Sequence, residues 1–73
     1  MTRQFTAIIE RDGDVYAAHC PDFDIASQGT TVAEARANLA EAIELFLETA
    51  SAIEIKQRLH GEIYVTQVEV RVD

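Results

Sequence analysis

The stretch HCPDFDIASQGTTVAEA, residues 19–35, governs how the rest of the chain is read. It packs a histidine, a cysteine, two aspartates and a helix start into one short run. The helix start is its clearest part. Thr31 followed three residues later by Glu34 is the capping-box pattern, in which the threonine hydroxyl accepts a hydrogen bond from the third helical N–H. Downstream, Val32, Ala35, Leu39, Ala42, Ile43, Phe46 and Ala50 recur at helical spacing and make one apolar stripe, broad enough to cover one face of a small sheet. Glu34, Glu41 and Glu48 fall seven apart on the other side, with Glu44 beside the last two, so the outer face of the helix is an acidic ridge. Lys56, Arg58 and His60 suit a helix C-terminus and Gly61 a terminating position, so the helix is expected to run to about Leu59. A second short helix is the alternative these residues allow.

Upstream of the quoted stretch the pattern is that of strands. Gln4 to Glu10 alternates, with Phe5, Ala7 and Ile9 on one face and Thr6 and Ile8 on the other, and Val15 to Cys20 forms a second run. Between them, Asp12-Gly13 signals a hairpin, read as a type I′ turn with positive φ at both central positions. Pro21 has no N–H to donate and stops the ladder, while Asp22 and Asp24 suit the turn that follows. Ile25 to Gln28 is long enough for a third strand. From Ile63 the chain becomes β-like again, Thr66, Val68, Val70 and Val72 alternating with Gln67, Glu69 and Arg71, which predicts a fourth strand. The expected order is β-β-β-α-β: an α+β domain over residues 1–73 with an antiparallel sheet and one long helix packed on one face.

Composition bounds what such a domain does. A chain of 73 residues buries only about 60% of the surface its unfolded form exposes, so its core is small and help from a partner chain is expected. Cys20 is the single cysteine, which excludes a disulfide framework. One thiol, no leader-like segment and no apolar run near 20 residues lead us to expect a cytoplasmic protein with no membrane association. Thirteen acidic against six basic residues give a net charge of −7, which opposes phosphate attraction and disfavours direct nucleic-acid binding. The same charge favours encounter with a basic protein.

The chemistry-bearing residues read mostly as architecture. His19 and Cys20 are adjacent in a strand and point to opposite faces, so neither a shared metal ion nor a Cys-His nucleophile pair is expected, and nothing in the sequence returns His60 to them. Asp12 and Asp14 flank a turn glycine, and Asp22 and Asp24 follow a proline, places where short acidic residues serve the backbone. No glycine-rich phosphate cradle, Walker lysine or nucleophile elbow is present. No catalytic residue, metal or cofactor is expected, and a metal-dependent nuclease built on Glu10, Asp22 and Asp24 is the least supported reading.

In order and spacing, these residues resemble the HicB-like antitoxin domain. That family's pattern has an aromatic-x-Ala strand, an Asp-Gly turn, Tyr-x-Ala before a Pro-Asp-hydrophobic step, and Gln-Gly-x-Thr-x-x-Glu-Ala opening a helix. Phe5 and Ala7, Asp12 and Gly13, Tyr16 and Ala18, Pro21, Asp22 and Phe23, and Gln28, Gly29, Thr31, Glu34 and Ala35 stand at the matching positions, and Asn38, Glu41 and Ala42 extend the match. The resemblance covers residues 5 to 47. It implies a degenerate RNase H-like domain, not itself a nuclease, that self-associates and masks a small basic RNA-cleaving HicA-type toxin. An RNase H fold carrying its chemistry has an Asp within the first strand, where this chain reads FTAII. The match departs at Asp24-Ile25, where the family commonly turns with Pro-Gly, so the turn is expected to differ there. The family's usual C-terminal DNA-binding part has no counterpart before the sequence ends at Asp73, so operator binding is not expected. An orphan oligomeric scaffold without a toxin partner is the alternative function. Either way a homodimer or larger assembly is expected, the valine-rich last strand being a candidate for pairing between chains.

Overall fold

In the computed structural model, which describes residues 2–73, three antiparallel strands are followed by two helices: β1 (Ile8–Asp12), β2 (Val15–Cys20), β3 (Ile25–Gly29), α1 (Val32–Thr49) and α2 (Ala52–Arg58). The sheet order is β1-β2-β3. The α+β class, the antiparallel sheet and the long helix on one face are as expected.

Register follows burial. Ile9, Ala18 and Ser27 lie abreast, as do Arg11, Tyr16 and Gly29, and Cys20 faces Ile25. Ala18, Cys20 and Gly29 are buried on this face, whereas the neighbouring row Ile8, His19 and Ala26 is exposed. This is the alternation of an antiparallel sheet covered on one side. β1 pairs only from Ile8, later than the expected Gln4, because β2 gives way to Pro21 and leaves residues 4–6 no strand opposite. The hairpin turn also differs from expectation. Asp12 pairs with Val15, so the loop is Gly13-Asp14, and only Gly13 has positive φ (65°), the pattern of a type II′ turn with glycine first.

α1 begins as its capping pattern implies. The Glu34 N–H donates to Thr31 Oγ1 at 3.0 Å. The Glu34 carboxylate accepts from the Thr30 N–H (3.0 Å) and hydroxyl (3.3 Å), so the reciprocal half of the box closes one residue earlier than the motif prescribes. Ala35, Leu39 and Ile43 are the buried stripe of α1, which lies mainly over β3 and β2. The contact with β3 is close: a Cβ at Gly29 would sit 2.5 Å from the Ala35 nitrogen. Asn38 Nδ2 donates to the Gln28 carbonyl at 2.8 Å and fixes the same crossing. The core comprises Ala18, Cys20, Phe23, Ala35, Leu39 and Ile43. Phe23 is its largest fully buried side chain and packs tilted between Phe5 and Phe46, with ring centroids 5.1 and 5.3 Å away.

Two expectations fail in the C-terminal third. The helix does not run on to Leu59: Ala50 is extended (φ −79°, ψ 148°) and Ser51 starts a new helix, its Oγ accepting the Glu54 N–H at 3.1 Å. Ser51 with Glu54 repeats the cap spacing of Thr31 with Glu34, and the break turns Ile55 back against the core. The fourth strand is not formed within this chain. Residues 63–72 carry no ladder, and Tyr64, Val65, Val68, Val70 and Val72 are 65–86% exposed. β-branched alternation suits a strand, but a strand also needs an edge to pair with.

Candidate functional site

The turn at Pro21–Asp24 draws the chain together. Pro21 ends β2, and Phe23 then drops into the core, which leaves Asp22 and Asp24 on either side of an anchored residue. Asp22 is half-buried. Its Oδ1 accepts the Thr6 N–H at 3.2 Å and faces the Cys20 Sγ, a donor at 3.7 Å. Asp24 has φ +57°, left-handed for a non-glycine residue, at the position where the sequence departs from the Pro-Gly turn. Aspartate tolerates that conformation better than most residues.

Three groups from the end of α2 close on this turn. The Arg58 guanidinium donates to the carbonyls of Phe23 (2.7 Å) and Asp24 (3.2 Å) while lying over the Phe46 ring, 4.9 Å from its centroid. The His60 N–H donates to the Asp22 carbonyl at 2.9 Å, and His60 Nε2 lies 2.8 Å from Asp24 Oδ2. His19 Nε2 stands 3.8 Å from the other carboxylate oxygen. Hydrogen bonding by His60 holds the Asp24 carboxyl below its ordinary value, and the charges of His60, His19 and Arg58 act in the same direction. Burial pushes the Cys20 thiol upward, and the residue is fully buried, as suits a small core side chain rather than a reactive thiol.

The residues singled out in the sequence are thus placed unequally. Pro21 and Asp22 belong to this turn. Gln28, Gly29, Thr31 and Glu34 form the β3–α1 junction, and Asp12 and Gly13 sit at the far hairpin. Glu10 lies mid-strand opposite Ala17, on the exposed face, and is not drawn into a cluster with Asp22 and Asp24. Among the described residues no group of three His, Cys, Asp or Glu side chains is placed to hold a metal ion. His60 does return to His19, by way of Asp24, which the sequence did not indicate. Neither did it indicate Arg58, whose contact spans 35 positions; a cation near a helix end reads equally well as a complement to the helix dipole.

Two surfaces remain open around this body. On α1, Glu41, Glu44 and Glu48 are exposed, and among the described residues none has an ion-pair partner. Bordering this face at Glu44, a groove of about 660 Å³ runs between residues 2–7 and the flank of the helices, with Leu39, Ile43, Leu47, Ile55 and Leu59 along it. Among the described residues no helix is long and apolar enough to cross a membrane. Comparison with protein-family models, curated proteins and solved structures finds no match to this chain.

Proposed function

We propose that the protein is a HicB-like, antitoxin-type interaction module of the cytoplasm, a non-catalytic, degenerate RNase H-like domain that binds and masks a small basic RNA-cleaving toxin of the HicA type. The observation that carries the proposal is the exposed acidic face of α1, Glu41, Glu44 and Glu48, without ion-pair partners among the described residues, on a chain of net charge −7. A cationic partner gains most from such a face, in encounter rate and in register. The order of Asp12-Gly13, Pro21-Asp22-Phe23 and Gln28-Gly29-x-Thr31 supports the same reading.

Co-expression with the product of an adjacent small basic reading frame tests it. The expected result is a co-purifying complex and relief of growth inhibition. Reversing Glu41, Glu44 and Glu48 to lysine should weaken capture at least about tenfold at low salt. No complex and no relief would reject the antitoxin reading and leave an orphan oligomeric scaffold as its replacement.

A further inference from the structure

The chain exposes more surface than a compact protein of its size. Its accessible area is 6182 Å². A folded monomer of 8.1 kDa is expected to expose roughly 4,500 Å², so about 1,700 Å² is in excess. Its radius of gyration, 14.4 Å, likewise exceeds the roughly 11 Å of a compact 73-residue domain. Much of the exposed apolar surface lies in residues 63–72, and residues 4–7, which precede β1, also have no strand beside them although Phe5 packs on Phe23 and the Thr6 N–H on Asp22.

The segments complement each other. Residues 4–7 border the apolar groove, on the side of the sheet that α1 covers least. An added strand along this edge would set every second side chain over Leu47, which is exposed in the groove. Val68, Val70 and Val72 supply such a row, with Gln67, Glu69 and Arg71 left to solvent. On the β3 side the sheet face is already covered, because α1 sits directly on Gly29. Within one chain the tail does not occupy the groove; held at His60 by the Asp22 and Asp24 contacts, it passes Thr6 and Asp22 over residues 60–64 and then leaves the body.

We propose that residues 63–72 of one copy form the fourth strand of a second copy, pairing with residues 4–10 and roofing the groove, so that the sheet is complete only in an exchanged dimer. If each chain loses about 1,700 Å², the total falls within the roughly 2,000–5,000 Å² buried by obligate homodimers. A two-fold axis makes the exchange reciprocal and leaves no tail free.

Light scattering of the full chain should give twice the 8.1 kDa mass at micromolar concentration. Replacing Val68 and Val70 together by glutamate should weaken the dimer at least about 100-fold, with the circular dichroism of the body retained. A dimer of equally labelled and unlabelled wild-type chains should show isotope-filtered contacts between residues 63–72 and residues 4–10 of different molecules. A wild-type monomer, a dimer indifferent to the two glutamates, or tail contacts confined to one molecule would each overturn the proposal.

Discussion

The sheet-and-helix body, residues 8–49, and the C-terminal segment, residues 63–72, differ in what surrounds their apolar side chains. In the body, Ala18, Cys20, Phe23, Ala35, Leu39 and Ile43 form one buried cluster. In the segment, Val68, Val70 and Val72 have solvent on both faces. The body is held by short-range devices, two tight turns and a capped helix, each satisfied within a few residues. The segment has only its alternation, which fixes how a strand would face but supplies no neighbour. A dividing line falls at His60, the last residue tied to the Pro21–Asp24 turn.

If that contrast is right, substitutions in the body destabilise it in proportion to burial, and substitutions in the segment leave the body intact. The largest effect is expected at Phe23, whose truncation to alanine should cost about 3–5 kcal/mol, enough to unfold a domain this small; chemical denaturation measures it. Next is Gly29→Ala, where the added methyl meets the α1 backbone rather than a movable side chain and should cost about 1–3 kcal/mol by the same measurement. Thr31→Ala removes the Glu34 N–H acceptor and should cost about 1 kcal/mol.

The smallest effect concerns Asp24. Its folded-state pKa is depressed by His60, so its contribution is present above the ordinary carboxylate range and is lost as pH falls through the lowered folded value. Asn at this position keeps the tolerance for φ +57° but removes the charge. Asp24→Asn should therefore be slightly less stable than wild type near neutrality, with the gap closing in acid and shrinking in salt. A gap that persists unchanged at low pH would show that the His60 contact is not electrostatic.

These devices were unequally legible in the sequence. Thr31, Glu34 and the stripe from Ala35 to Phe46 announced α1, because capping and periodicity are local. Asp12-Gly13 announced a hairpin but not its type, since glycine serves either central position and the register decides which. The second cap at Ser51 was hidden because Ile53, Ile55 and the following cations continue a helical pattern. Arg58 and His60 on the Pro21–Asp24 turn could not be read at all: their partners are backbone carbonyls and one carboxylate more than 30 positions away, and no spacing rule encodes such a return. The fourth strand was legible as a pattern but not as a structure, because alternation fixes how a strand faces and supplies no neighbour within the chain.

Residue-resolved amide hydrogen exchange on the full chain, repeated over a range of protein concentrations, tests this account most directly. Protection in β2, β3 and α1 should change little with dilution until the body itself opens. Residues 4–7 and 63–72 should gain and lose protection together as concentration rises and falls. Protection of residues 63–72 that ignores concentration, or that never appears, would contradict it.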